Sequence, residues 1–253
     1  MSLTAGKGAS LRVVSLLPSL TEIICAIGGG LEEHLVGVTH ECDYPPQVVS
    51  RCERVTTSEI NPHKMSQEEI DRRVRGSLSM GHSLYGLKET SLKAADPTIV
   101  FTQALCDVCA PAYPMVLSTC SKVLGDNPRI VSIEPGSVAE VIESVRVVGR
   151  ETGFVQEGEA EAKRLETGFE RIRTFVSEYC EAQAACRTQG EREFKKKKVA
   201  FLEWLEPLYN GGHWIPDLVR AAGAEYTMAE PGSKSLSMTH EELTAYDADV
   251  ILV

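Results

Sequence analysis

Four short apolar segments in the first half of the chain constrain its fold more than any other feature. They lie at residues 11–17, 35–40, 97–103 and 128–135. More than a dozen residues separate each segment from the next, and connections of that length join parallel strands. The sequence therefore predicts an α/β fold with a parallel sheet in its N-terminal half.

A charged helical region follows these segments. Its second helix has roughly 30 residues and would span about 45 Å, which is more than a crossover between neighbouring strands needs. We therefore expect this helix to bridge two Rossmann-like lobes, with a dimeric coiled coil as the alternative. Only two strands are predicted after it, and because a two-stranded sheet is marginal alone, the second lobe is expected to be incomplete. The predicted domains are an N-terminal α/β lobe at 11–136 with a helical insertion at 57–91, a helical connector at 137–190, and a C-terminal α/β lobe at 198–253.

The charge balance and the cysteine pattern narrow the class of protein. The chain has 36 acidic and 26 basic residues, a net charge of −10, which disfavours a nucleic-acid-binding protein. No apolar run approaches the ~18–20 residues that cross a bilayer, and no leader peptide is evident. The eight cysteines are scattered, which together with the lack of an evident leader favours reduced thiols in a cytoplasmic protein. We expect the protein to be a monomer. Removal of a leader would make the periplasm or another compartment equally compatible.

Polar and aromatic residues collect where three predicted strands end. Both tryptophans follow one strand, although aromatic residues make up only 6% of the chain. Ligands of open α/β sheets bind beyond the carboxyl ends of the strands. We therefore predict that these loops face one cleft between the lobes. The predicted ligand-binding residues are His40, Glu41, Cys42, Tyr44, Gln103, Cys106, Cys109, Glu203, Trp204, His213 and Trp214.

Two kinds of chemistry fit these residues. Aromatic faces with a few polar groups suit a large flat ligand such as a corrinoid. Alternatively, His40, Cys42, Cys106 and Cys109 form a Cys3His set that would bind zinc or iron. A Cys-x-x-Cys pair also occurs in redox proteins, so a thiol-dependent enzyme stays open. No phosphate loop or nucleophile motif is present, and an enzyme is not the preferred interpretation.

Several segments together resemble the cobalamin-binding protein family, relatives of the vitamin B12 and siderophore substrate-binding proteins of ABC importers. The resemblance runs from about residue 11 to the end and is weakest at 156–197. It is carried by SLLPSLTEI, VGVTHECDYPP, EIDRRVRGSLSMGHSLYGL, PTIVFTQALCDVCA, FLEWLEPLYNGGHWIPDLVRAAG and DADVILV. It implies two Rossmann-like lobes bridged by a long helix, with cobalamin or a related corrinoid held in the cleft between them.

The resemblance also implies a membrane partner. In the importer-docking relatives, each lobe presents a glutamate to arginines of the transporter. Glu241 lies at the matching place in the C-terminal lobe, whereas the N-terminal match falls on Thr90, next to Glu89. Because of this departure, the resemblance supports ligand binding better than it supports docking on an ABC transporter membrane subunit.

Overall fold

The computed structural model describes residues 10–61, 64–79, 84–104, 111–185 and 195–253. The chain divides into two compact units, which do not coincide with the three predicted segments. Unit 1 contains residues 1–65, 72–134 and 145–159, and unit 2 contains residues 66–71, 135–144 and 160–253. The predicted connector at 137–190 is therefore not a separate body, because its residues belong to both units.

Unit 1 is built on a parallel sheet. Its elements, in chain order, are β1 Val13–Ser15, α1 Pro18–Ile27, β2 Leu35–Val38, α2 Pro46–Val49, β3 Glu53–Arg54, β4 Thr56–Ser58, α3 Gln67–Ser79, β5 Tyr85–Leu87, α4 Glu89–Ala95, β6 Ile99–Thr102, α5 Tyr113–Leu124 and β7 Arg129–Ser132. The five-stranded sheet has the order β3-β2-β1-β6-β7, and every pairing in it is parallel. The chain runs outward from β1 through β2 to β3 and returns at β6. The strand order therefore reverses between β1 and β6, which is where ligands bind in such sheets.

The core of unit 1 explains why these segments form strands and helices. The apolar residues of β1 and β6 pack against those of α4 and α5. The fully or nearly fully buried cluster consists of Val14, Leu16, Val55, Leu92, Ala95, Val100, Val116 and Cys120. All four predicted strands of this half are therefore confirmed.

The predicted helical insertion at 57–91 requires a correction, because it also contains strands. β4 and β5 pair antiparallel, with Thr56 opposite Leu87 and Ser58 opposite Tyr85. Strand formation at β4 follows from its threonines, since β-branched side chains favour extended backbone. A capping box begins α3, because Ser66 and Glu69 exchange side-chain-to-backbone hydrogen bonds of 2.8 and 3.2 Å.

Two long helices follow the first sheet. They are α6 Val138–Thr152 and α7 Val155–Ala185, and the 31 residues of α7 agree with the predicted length. Gly149 and Gly158 let the two helices approach closely, since a Cβ on Gly158 would lie 3.0 Å from the Cα of Gly149. The apolar side chains of α7 are covered only in part, because Phe175 is 68% exposed.

Unit 2 contains a mixed sheet rather than the two strands that were predicted. Its elements are β8 Val199–Leu205, β9 Leu208–Asn210, α8 Ile215–Ala221, β10 Ser237–Met238, α9 His240–Tyr246 and β11 Val250–Leu252. The sheet order is β10-β9-β8-β11. β8 and β11 pair parallel as predicted, and β9 and β10 add antiparallel pairings. Val199, Ile215, Val219 and Tyr226 form the buried core of this unit. Among the described residues, no helix is long and apolar enough to cross a membrane.

Candidate functional site

In unit 1, the loop after β2 is held by a single arginine. The Arg54 guanidinium donates from Nη1 to the carbonyl oxygens of Thr39 and Cys42, at 2.8 and 2.5 Å. Two backbone carbonyls that face one cation fix the path of residues 39–42. The sequence analysis missed Arg54, because a charged residue on a two-residue strand carries no recognisable signal.

The His40 side chain has a polar neighbour on each side of its ring, but only Nδ1 forms a hydrogen bond. Nδ1 lies 2.7 Å from the hydroxyl of Thr56, whose oxygen also accepts the backbone N–H of His40 at 2.9 Å. Nε2 lies 3.0 Å from the carboxylate of Glu41. The ring contacts Tyr85 in a tilted arrangement, with 5.6 Å between ring centroids. Burial lowers the pKa of His40 below its usual value of 6.5, and the Glu41 carboxylate opposes part of that shift.

The structure places Cys42 against hydroxyl groups. Its buried thiol lies 3.2 Å from the Thr21 hydroxyl and 3.6 Å from the Thr39 hydroxyl. Thr21 in turn donates to Ser15 Oγ at 2.9 Å, which links the ends of β1 and β2. Cys42 therefore connects the loop after β2 to the end of β1, by way of the Thr21 and Ser15 hydroxyls.

The other predicted residues of unit 1 divide into three groups. Gln103 is buried just after β6, at the sheet edge where the loops after β1 and β2 also begin. Tyr44 is 60% exposed. Cys106 and Cys109 lie outside the described residues. Within the described part of the chain, no group of three or more His, Cys, Asp or Glu residues could hold a metal ion. The Cys3His site, which needs Cys106 and Cys109, stays a prediction.

In unit 2, the structure brings three of the four predicted residues together. Glu203 lies near the end of β8 and accepts a hydrogen bond from Ser235 Oγ at 2.6 Å. The same Ser235 oxygen accepts the backbone N–H of Gly212 at 3.1 Å. Gly212 directly precedes His213 and Trp214, whose ring centroids are 5.9 Å apart. One serine therefore ties the Glu203 carboxylate to the loop that carries both rings.

The loop at 228–236 supports this arrangement from a second direction. Asn210 donates from Nδ2 to the Met228 carbonyl at 2.8 Å and accepts the Leu236 N–H at 2.7 Å. Gly212 lies so close to the same loop that a Cβ there would be 2.5 Å from the backbone nitrogen of Ser235. Neither Asn210 nor Ser235 was predicted from the sequence, because their role depends on a loop that has no regular pattern. We call residues 210–214 together with 228–236 the His213 clamp.

The two tryptophans have different surroundings. Trp214 is half-buried, precedes α8 as its N-cap residue, and packs against the core of unit 2. Trp204 is paired with Tyr209 on the β8–β9 hairpin, and its indole N–H donates to the Glu206 carbonyl at 2.9 Å. The described ring contact of Trp214 is with His213 and not with Trp204.

The two glutamates that the resemblance assigned to docking also differ. Glu89, in the first turn of α4, forms a 2.6 Å ion pair with Lys122. Glu241 lies in the first turn of α9 and is exposed. A capping box between Thr239 and Glu242 begins that helix.

No protein-family model and no curated protein sequence matches the chain, but solved structures of similar fold exist. The periplasmic vitamin B12 binding protein BtuF of Vibrio cholerae has a TM-score of 0.60 and 18% identity, over 95% of this chain and 74% of that protein. The periplasmic heme-binding protein RhuT from Roseiflexus sp. RS-1 has a TM-score of 0.62 and 19% identity, over 96% and 76%. An ABC transporter substrate-binding protein from Listeria monocytogenes EGD-e has a TM-score of 0.59 and 15% identity, over 96% and 74%.

These comparisons establish the fold of the chain. This chain has the α/β fold of the substrate-binding proteins that the sequence resemblance indicated, which confirms that expectation at the level of fold. All three of these structures are described as binding proteins. Two of them are described as periplasmic, so the comparisons do not support the cytoplasmic location predicted from the first residues and the scattered cysteines.

Proposed function

We propose that the protein binds a metal chelate, a corrinoid or a similar flat macrocycle, and releases it chemically unchanged. The observation that carries this proposal is the likeness of fold, over 95% or more of the chain, to solved structures that bind vitamin B12 and heme. Those two ligands share a broad planar ring around a metal ion. A protein that holds such a ligand needs apolar or aromatic surface for the ring and a few polar groups for its edge.

The unit 2 residues supply both kinds of surface. The Trp214 indole offers a face that is half-buried and fixed by the core. His213 and Glu203 offer polar groups beside it, held by Ser235 and the neighbouring backbone. Because these side chains are already ordered by the protein, a ligand would lose little further conformational freedom on binding.

The unit 1 residues supply a second polar and aromatic set. His40 and Tyr85 are in tilted ring contact, the exposed Glu41 carboxylate lies beside His40, and Tyr44 is exposed in the loop that follows. Substitutions in this set, measured for ligand affinity and stoichiometry, therefore test whether it contributes to binding.

A membrane partner of the ABC importer class belongs to the same proposal. Glu241 is exposed in a first helical turn and is free to pair with a cation of another protein. Glu89 already forms an ion pair with Lys122, which docking would have to break. Breaking an exposed ion pair of this kind costs at most about 1 kcal/mol. Charge reversal at Glu241 is therefore expected to weaken docking more than charge reversal at Glu89.

Calorimetric titration with cyanocobalamin tests the proposed function. We expect saturable binding of one equivalent to the wild-type chain. Trp204→Ala and Trp214→Ala should each weaken binding by about 1–3 kcal/mol, the effect of removing one large buried side chain. Wild-type affinity in both variants would exclude stacking on the indoles. Stoichiometric zinc or iron in the purified protein would instead support the Cys3His alternative.

A further inference from the structure

One face of α7 exposes large apolar side chains. Ile172, Phe175 and Tyr179 are 54%, 68% and 53% exposed. Residues three and four apart lie one above another on a helix, so these side chains form a continuous row. Val176, on the neighbouring face, is half-buried, and a Cβ on Gly223 would lie 2.5 Å from its Cγ1. The exposed row therefore lies beside the face that packs against unit 2, and the described residues leave it uncovered.

The row continues along the part of α7 that belongs to unit 2. Positions that alternate three and four residues apart repeat every 3.5 residues, the spacing at which two helices pack along each other. From residue 165 to residue 182 these positions extend over about 27 Å of helix. They are occupied by Leu165, Gly168, Ile172, Phe175, Tyr179 and Ala182, which we call the α7 stripe.

We propose that the α7 stripe binds the same stripe of a second copy of this chain, with the two helices antiparallel. Two-fold symmetry makes each contact occur twice. The central layers pair Ile172 with Phe175 of the second copy. The next layers pair Tyr179 with Gly168 of the second copy, where nothing lies within 4 Å of a Cβ and a large ring has room. The outermost layers also pair a large side chain with a small one.

The charges beside the α7 stripe favour this antiparallel arrangement. Arg171 precedes Ile172 and Glu178 precedes Tyr179, and side chains at such flanking positions set the orientation of paired helices. In the antiparallel pair, Arg171 of one copy meets Glu178 of the other, twice by symmetry. Neither residue forms an ion pair or a hydrogen bond with the described residues. In a parallel pair, both would face uncharged side chains, and no attraction would be gained.

Dimerisation through the α7 stripe is independent of the proposed function, because the stripe contains none of the candidate ligand-binding residues. It replaces the expected monomer with a symmetric dimer. A contact between two helices of this length is small for a specific interface. We therefore expect a dissociation constant in the micromolar range.

Sedimentation equilibrium of the unliganded chain, from nanomolar to high micromolar concentrations, tests the pairing. A reducing agent excludes disulfide-linked dimers, since the chain has eight cysteines. We expect the mass to rise from one copy to two. Ile172→Glu would bury a charge in the central layer and should weaken dimerisation at least about 100-fold.

Val155→Glu is the matched control for that substitution. Val155 is 53% exposed and lies on the same helix, outside the α7 stripe. This variant should dimerise like the wild type. Because both replaced side chains are exposed, the far-UV circular dichroism of both variants should match that of the wild type.

Charge reversal tests the antiparallel arrangement. Arg171→Glu and Glu178→Arg should each raise the dissociation constant about 3–30-fold, because each brings like charges together at both symmetry-related positions. The double variant restores opposite charges and should dimerise as tightly as the wild type.

A monomer at every concentration would overturn the inference, as would unchanged dimerisation of Ile172→Glu. Wild-type dimerisation of the single charge reversals, or a double variant as weak as either of them, would refute the antiparallel contact. Absence of cyanocobalamin binding by a dimeric protein would refute the proposed function and leave the dimer standing.

Discussion

The two histidines that the sequence placed among the ligand-binding residues are held in different ways. His40 is held through its side chain, with Nδ1 2.7 Å from the Thr56 hydroxyl, Nε2 3.0 Å from the Glu41 carboxylate, and Tyr85 in ring contact. His213 is held through its backbone, with φ at +50° and backbone hydrogen bonds to residues 232 and 233. Each histidine has one buried ring nitrogen without a hydrogen-bond partner, Nε2 of His40 and Nδ1 of His213. The comparison indicates that side-chain contacts position His40, whereas backbone hydrogen bonds position His213.

Of the substitutions around the two histidines, the largest loss of stability is expected at Gly212, in the His213 clamp. A Cβ at this position would lie 2.5–2.7 Å from backbone atoms of residues 233–235, so Gly212→Ala must displace part of the His213 clamp. We expect a loss of about 2–4 kcal/mol in the free energy of unfolding, the range of strongly destabilising single substitutions, measured by urea denaturation. Ligand affinity should fall as well.

Gly168→Ala is the matched control for that change. Nothing lies within 4 Å of a Cβ at Gly168, which is inside α7. Alanine should stabilise the helix there by about 0.5–1 kcal/mol. Equal stability of Gly212→Ala and the wild type would show that the clamp is not packed as described.

The next effect concerns the side-chain constraint on His40. Thr56→Val removes the hydroxyl that bonds both Nδ1 and the backbone N–H of His40, and it preserves side-chain shape. Because Thr56 is buried, the unpaired groups should cost about 1–3 kcal/mol in chemical denaturation. Thr57→Val, on the exposed side of the same strand, should be close to neutral. Similar losses in the two variants would argue against a specific role of the Thr56 hydroxyl.

A smaller effect is expected at the serine that links Glu203 to the clamp. Ser235→Ala removes its hydrogen bonds to Glu203 and to the Gly212 N–H. We expect about 1 kcal/mol of destabilisation, and a loss of ligand affinity because His213 is less firmly positioned. Ser237→Ala on the exposed strand β10 provides the comparison. Unchanged ligand affinity in Ser235→Ala would show that this serine does not contribute to ligand binding.

The smallest effect is a pH dependence of the folding stability that is caused by His40. Its pKa is lowered in the folded protein from 6.5, so the folded state favours the neutral ring. As the pH falls below about 6.5, the unfolded state takes up the proton before the folded state does. The stability contributed by His40 is therefore fully present above that pH and is lost as the pH falls to the pKa of the folded state. Between pH 7.5 and 5, the wild type should lose slightly more stability than His40→Gln. Parallel pH profiles of the two proteins would contradict this assignment.

The strands were predictable where the sequence contains a long enough apolar run. β1, β2, β6 and β7 come from apolar runs bounded by turns, and the parallel order follows from the length of their connections. The short strands β9 and β10 were missed because two or three residues carry no periodicity. Their formation depends instead on Asn210 and the loop at 228–236.

The candidate site was predictable by residue type but not by role. Polar and aromatic residues beyond strand ends identified His40, Glu203, His213 and Trp214. The partners that decide how each residue acts were not predictable, since Thr56 and Ser235 reach their positions through tertiary contacts far along the chain. Residue type indicated which side chains to consider, and the hydrogen bonds showed how each of the two histidines is held.

The central claim, that this chain binds a metal macrocycle without altering it, is tested most directly by titrating cyanocobalamin into the wild-type protein and into Trp214→Ala, and recovering the ligand. The account predicts one saturable site, weaker binding in Trp214→Ala, and recovery of unmodified cyanocobalamin. Absence of saturable binding to both cyanocobalamin and hemin, or recovery of an altered ligand, would contradict it.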